Sequence, residues 1–202
     1  SYIAPVDGVK NVWVAPIEDP TAGKPVTSDT SRGTTNHFWA TDNKHIIYLR
    51  DVGGDENFHL IAVNVETLES RDLTDFENTL GQLVGGSYSI RDKLLIGMND
   101  RDPRFHDVYL VDINTAEREL VELNDGFAGY VADHDLNVRV GVKPTAEGGM
   151  SLQRKDEDGA WVEFMPVSKD EVFAMAPLGF SRDGERFYLE DATGRDLSLI
   201  HI

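Results

Sequence analysis

Three apolar segments recur at a fixed interval along this chain. Asn11-Val12-Trp13-Val14-Ala15-Pro16, His59-Leu60-Ile61-Ala62-Val63-Asn64 and Asp107-Val108-Tyr109-Leu110-Val111-Asp112 set Trp13, Ile61 and Tyr109 apart by 48 residues each time. A period of that size, with several strand-length runs inside it, marks an array of small sheets. Each unit is too small to bury both of its faces and must stack on its neighbours.

The clearest unit is 38–74, FWATDNKHIIYLRDVGGDENFHLIAVNVETLESRDLT. It reads as a short apolar strand, a turn at Asp42-Asn43-Lys44, a strand through 45–50, a polar loop at 51–57, a third strand to Asn64, a turn at 66–69 and an outer strand ending near Thr74. No run is long or helical enough for a β-α-β unit. The strand and turn recur as Tyr88-Ser89 before Arg91-Asp92-Lys93, Tyr130-Val131 before Asp133-His134-Asp135, and Phe180-Ser181 before Asp183-Gly184. Each copy places an aromatic on a strand and an Asx-type reversal after it. The third-strand position continues weakly as Ser151-Leu152-Gln153-Arg154 and Leu197-Ser198-Leu199-Ile200. The pattern predicts an all-β chain, an open-ring β-propeller fragment of about four four-stranded antiparallel blades. The pieces are 1–30, 34–75, 82–123, 128–167 and 173–202, with 173–178 the weakest stretch. The links between them, at 18–24, 76–79, 99–105, 144–149 and 156–159, are polar and too short to separate domains. The chain ends inside an apolar strand and opens without an initiator Met, as a piece of a longer protein would. Uncovered faces on its end blades would then favour self-association into a homo-oligomer.

Charge narrows the partners. Nineteen basic against 36 acidic residues give a formal charge of -17, which disfavours nucleic acid because phosphates are held by Lys and Arg. A solvated acidic face, salt adaptation and steering of a basic ligand all fit that charge. With no cysteine there is no disulfide, thiol nucleophile or thiolate metal site, and composition does not decide the redox compartment. The cytoplasm is the expected location, with the periplasm as the alternative. The apolar runs are strand-sized, so neither a signal peptide nor a membrane span is expected.

The chemistry-bearing residues give few sites. Gly85-Gly86-Ser87-Tyr88-Ser89 and Gly149-Met150-Ser151-Leu152 lack the spacing and following helix of a nucleophile elbow, so both read as ordinary turn and strand serines. His37, His45, His59, His106, His134 and His201 are scattered. Asp133-His134-Asp135 gathers oxygen and nitrogen donors at a turn, with a bound cation as the alternative, and Asp51, Asp55, Glu56 and Asn57 gather oxygens for a hard cation such as calcium at a spacing unlike an EF-hand loop. Both are expected to be solvated turns. The loop 51–57 would project the Asp55 and Glu56 carboxylates from a rim where a cationic peptide end could meet them. The corresponding stretch 99–104 supplies Arg101 and Arg104, with local ion pairs around a Pro-fixed turn as its simpler reading. Trp13, Trp39 and Trp161 are expected to pack between blades. No catalytic, cofactor-binding or metal residue is assigned.

Three stretches together carry a family resemblance: 38–74, LLIGMNDRDPRFHDVYLVDINTAERELV and GFAGYVADHDLNVR. With Asp7-Gly8-Val9-Lys10-Asn11-Val12-Trp13-Val14 and Gly179-Phe180-Ser181-Arg182-Asp183-Gly184, the chain resembles the N-terminal β-propeller of the prolyl oligopeptidase family of serine peptidases, in its acylaminoacyl-peptidase-like branch. The resemblance implies a propeller that caps a C-terminal α/β-hydrolase domain, admits short peptides and excludes folded proteins. Hydrolysis there would run through an acyl-enzyme and an oxyanion hole. No triad residue falls on this chain, so the chain alone is expected to be inactive and to need no cofactor. The opposing reading is a peptide- or protein-binding propeller scaffold of the translocation-associated type. A metal-dependent propeller lactonase would need carboxylates, Asn and His converging at the ring axis, which a half ring does not readily supply.

Overall fold

The computed structural model describes residues 1–194 and 199–201. Its strands are β1 (Tyr2–Val6), β2 (Val9–Val14), β3 (Lys24–Pro25), β4 (His37–Trp39), β5 (His45–Arg50), β6 (His59–Asn64), β7 (Ser70–Asp72), β8 (Gly81–Gly86), β9 (Lys93–Asp102), β10 (Phe105–Asp112), β11 (Arg118–Glu122), β12 (Gly129–Ala132), β13 (Val138–Pro144), β14 (Met150–Lys155), β15 (Trp161–Val167), β16 (Met175–Phe180), β17 (Phe187–Asp191) and β18 (Leu199–His201). They form five antiparallel sheets in strict chain order: β1 to β3, β4 to β7, β8 to β11, β12 to β15, and β16 to β18. Pairing only chain neighbours needs nothing longer than a hairpin turn, which is why Asx and glycine turns suffice as connectors. The sheets are blades of a β-propeller, and the first strands β8, β12 and β16 lie beside one another. The 48-residue interval has a direct geometric meaning. Trp13 opposes Tyr2, Ile61 opposes Tyr48 and Tyr109 opposes Ile96, the same cross-strand relation in three successive sheets.

Packing explains why the second strands read as unbroken apolar runs. Successive side chains of a strand point to opposite faces, so a blade between two neighbours needs apolar residues at every position. On β5, Ile46 and Tyr48 pack with Val12 and Val26 of the first sheet. Ile47, one step along, joins Leu60, Leu94, Ile96 and Met98 between the second and third sheets. On β9, Leu95 turns the other way and packs with Val108, Leu136 and Val138 against the fourth sheet. Leu152, Val167 and Leu189 make a smaller core between the fourth and fifth. Each fully buried Leu or Ile contributes roughly 1.5–3 kcal/mol, so these inter-sheet cores are what bind the blades together.

Buried polar groups stitch the seams. Glu122, at the end of β11, accepts from Lys155 Nζ at 2.5 Å and from Trp161 Nε1 at 3.1 Å, tying the third sheet to the fourth. Trp161 also packs on Phe127 and Tyr130 with ring centroids 5.0 and 5.9 Å away. It fills the seam, as a packing tryptophan should. Trp13 instead stacks on Tyr2 of its own sheet at 6.2 Å, and Trp39 remains part exposed.

Two sequence expectations change. Tyr88 lies beyond the end of β8 and is 71% exposed, so it does not pack between blades. The reversal there is built by Ser87, whose hydroxyl accepts from the Ser89 and Ile90 amides at 3.0 and 3.1 Å, and Ile90 supplies the apolar contact. The stretch 99–105 is not a loop: β9 runs through to Asp102 and β10 begins at Phe105, leaving Pro103-Arg104 as the reversal. Its polar residues tolerate strand geometry because their partners lie across or beside the hairpin, Asp100 with the Tyr109 hydroxyl and Arg101 with Asp107. Of the last repeat copy, Leu197 and Ser198 lie outside the described residues. No helix among the described residues is long and apolar enough to cross a membrane.

Candidate functional site

In a four-stranded antiparallel blade, the turn between strands two and three and the link to the next blade emerge at one end. The other two turns emerge at the opposite end. The loop 51–58, the reversal at Pro103-Arg104, the turn 145–149 and the links 73–80 and 123–128 therefore share one rim. That rim carries Asp51, Asp55, Glu56, Asp75, Glu77, Asp125 and Glu147, and it is where the sequence candidates belong.

The loop 51–57 is a self-bonded turn. The Asp55 carboxylate accepts from the Val52 and Asn57 amides at 3.2 and 3.1 Å. Those bonds, outweighing burial, hold its carboxyl below the ordinary value. Gly53 and Gly54 adopt φ of 66° and 90°, and Glu56 a left-handed φ of 61°. Glu56 is exposed. Asp51 differs: its side chain is 9% exposed and lies 3.1 Å from the Arg32 guanidinium.

The two arginines separate in role. Arg101 donates to Asp107 at 2.6 and 2.8 Å and to the Asn124 carbonyl at 2.9 Å. It is committed to the fold. Arg104 forms a fork with Asp102, with bonds of 3.0 and 2.8 Å, and these pull the Asp102 carboxyl down to about 2. Both behave as local ion pairs, and neither guanidinium is left free for an anionic ligand. Beside them, burial and the Asp100 carboxylate push the Tyr109 hydroxyl up to about 12.

The remaining candidates resolve as structure. Asp133 accepts from the Asp135 and Asn137 amides at 3.0 Å and from Arg139 at 2.9 Å, a turn carboxylate with its own cation. No group of three or more acidic or histidine side chains able to hold a metal occurs among the described residues. Ser87 is fully buried and donates to the His134 carbonyl of the next blade, and Ser151 is 5% exposed and accepts from Gln153. Neither hydroxyl can meet a substrate. His45 and His59 each sit 2.6 Å from a carboxylate, Asp42 and Asp72, as structural pairs. Burial pushes the His106 and His37 imidazoles down, favouring their neutral forms. A crevice of about 660 Å³ opens at the opposite rim between the fourth and fifth blades, with Phe164, Phe180 and Phe187 as its apolar wall.

Sequence reasoning missed Arg32, Asn11 and Glu122, which make the decisive polar contacts of their regions. Arg32 and Glu122 stand outside any pattern, Asn11 reads as the edge of an apolar strand, and the partners of all three lie far away in sequence.

No protein-family profile matches the chain. Dipeptidyl aminopeptidase BIII of Pseudoxanthomonas mexicana is 40% identical over 201 residues, covering 99% of this chain. The chain belongs to the prolyl oligopeptidase family. A second relative, dipeptidyl peptidase family member 6 of Caenorhabditis elegans, is 26% identical over 97% of this chain. The chain spans 29% and 28% of the lengths of these two relatives. Among solved structures, a prolyl endopeptidase matches 95% of the chain and 28% of its own length, with a TM-score of 0.62 and 15% identity. A puromycin hydrolase matches 90% of the chain and 28% of its own length at 0.57 and 15%. TolB from Acinetobacter baumannii matches 96% of the chain and 50% of its own length at 0.51 and 13%. These three likenesses concern the fold alone, and the two peptidase-type structures agree with a propeller.

Proposed function

We propose that this chain is the non-catalytic propeller part of a serine peptidase, gating the access of short peptides and docking an α/β-hydrolase domain in the same polypeptide. The observation that carries the reading is the 40% identity, along 99% of the chain, to a protein named as a dipeptidyl aminopeptidase. Supporting it, Ser87 and Ser151 are buried, and His45 and His59 are paired with carboxylates, so none of these four offers an open nucleophile or base. The likeness to TolB supports a binding scaffold only at the level of fold, whereas both sequence relatives carry peptidase names.

In this reading the acidic rim attracts the amino end of a peptide, with Glu56 as the exposed carboxylate that is not spent on a turn. Self-association through the outer faces of the first and last sheets belongs to the same proposal, since Tyr2 is 39% and Ile200 65% exposed there. The test has two arms. A reading frame continuing past Ile202 into a Gly-x-Ser-x-Gly elbow is expected, and a frame without any hydrolase domain overturns the peptidase reading. In that longer protein, Glu56→Gln should lower kcat/KM several-fold for peptides with a free amine and spare their N-acetylated forms. Equal effects on both would remove the rim from substrate selection.

A further inference from the structure

We propose that Arg32 is a positioning residue: its guanidinium, standing on the link between the first two blades, latches the acidic loop 51–57 at the rim through the buried carboxylate of Asp51. The base of the latch is rigid. Asn11 of β2 is fully buried, and its side chain accepts from the Asp29 amide at 2.7 Å and from the Thr27 hydroxyl at 2.8 Å while donating to the Asp29 carbonyl at 3.0 Å. Asp29 closes a turn on the Ser31 amide at 2.7 Å, and the Thr34 amide reaches the Lys10 carbonyl at 2.9 Å. Gly33 fits only as glycine, since a Cβ there would meet the Lys10 backbone nitrogen at 2.9 Å at a φ of +78°. Arg32 is thus carried on a segment that the first sheet holds from both sides.

The loop is the soft partner. It has two consecutive glycines at positive φ, an exposed Val52, and hydrogen bonds that stay within itself. Across to the neighbouring link, Arg32 Nη1 stands 3.1 Å from Asp51 Oδ2. Asp51 Oδ2 receives no hydrogen bond, so the contact is Coulombic rather than directional. Gly54 seats the guanidinium: a Cβ at that position would stand 2.2 Å from Arg32 Nη1. A carboxylate at the loop's root, a cation from the preceding link and a glycine shaped around that cation together make a latch whose release leaves both blades intact. This inference holds whether or not the rim meets a peptide, so the two readings fail separately.

Hydrogen exchange on the chain itself tests it. Arg32→Ala and Asp51→Asn should each speed exchange of the amides at 52–58 by about two- to fivefold, the ratio a half-exposed ion pair can support. Amides of β5 and β6 should be unchanged, which separates a freed loop from a loosened blade. High salt should reproduce the effect in the unaltered protein, because Arg32 is 58% exposed and can be screened. The exchanged pair Arg32→Asp with Asp51→Arg should recover part of the protection. Unaltered exchange at 52–58 in both single variants would overturn the latch, as would an equal acceleration throughout the second blade.

Discussion

Arg101 looks like a rim residue in sequence and is structural in space, and the residue that makes it so is Asp107. It is 1% exposed and receives two bonds from Arg101 and one from the Asn124 amide, so Arg101 is spent on holding it. Burial pushes the Asp107 carboxyl up, but the Arg101 and Asn124 hydrogen bonds outweigh burial and leave it below the ordinary value. Asp107→Asn should therefore cost about 3 kcal/mol at neutral pH, measured by chemical denaturation, since it breaks a largely buried pair. The sign with pH follows from the depressed value. The charged form stabilises the fold fully above the unfolded carboxyl pKa of about 3.9, and that contribution is lost as pH falls through the lower folded value. The gap between the parent and Asp107→Asn should narrow below about pH 4. A gap that stays constant down to pH 2 would mean that the carboxylate's charge is not what stabilises this corner. The ion pairing around Pro103 was legible in the sequence, and the burial of Asp107 was not. Asp-Pro-Arg reads as a turn whether its charges face water or the core, and only the register of β9 on β10 decides.

At the scale of the element, the repeated turns were legible and their strain was not. The reversal between third and fourth strands starts in each middle blade with an Asx side chain capping the next amides: Asn64 onto Glu66 and Thr67, Asp112 onto Asn114 and Thr115, Asp156 onto Asp158 and Ala160. Each reversal then needs a left-handed residue. The second blade uses Leu68 at φ 61°, the third Ala116 at φ 61° and the fourth Gly159 at φ 80°. A side chain there costs about 1–2 kcal/mol against the following carbonyl, and glycine avoids that cost while losing some entropy on folding. Leu68 is 56% exposed, so its removal sacrifices little packing. Leu68→Gly should thus leave stability unchanged or raise it by up to about 1 kcal/mol, a gain of roughly 2–4 °C in Tm for a chain of this size. A loss of several degrees would show that the leucine packs in a way its exposure conceals. Sequence pattern marked the reversal at 66–69 and the polar stretch 156–159, but not the capping roles of Asn64, Asp112 and Asp156. It could not find the left-handed position in copies where no glycine marks it, and it misplaced Tyr88 because Ser87 closes that turn in place of an Asx residue.

For the whole molecule, the fold was readable because it repeats: a both-faces-apolar strand every 48 residues leaves stacked blades as the economical way to bury it. The charge follows a different logic, being spread over loops that no period governs. At -17 the folded chain repels itself, and its ion pairs do not offset this, because several lean on arginines that are 41–74% exposed. Screening should therefore favour the compact state. Raising NaCl from about 0.02 M to about 0.5 M shortens the Debye length from roughly 20 Å to about 4 Å, which removes repulsion between blades while contacts within hydrogen-bond distance survive in part. The expected outcome is a Tm that rises with salt by several degrees and levels off once the Debye length falls below the spacing of neighbouring surface carboxylates. Sodium chloride rather than sulfate is the right probe, since sulfate also strengthens apolar burial. A Tm that falls with salt would mean that the surface ion pairs outweigh the net charge. The opposing movement of the loop at 51–57, which salt should loosen while the blades tighten, would then lose its contrast, so recording both in one titration distinguishes repulsion across the molecule from attraction at a single latch.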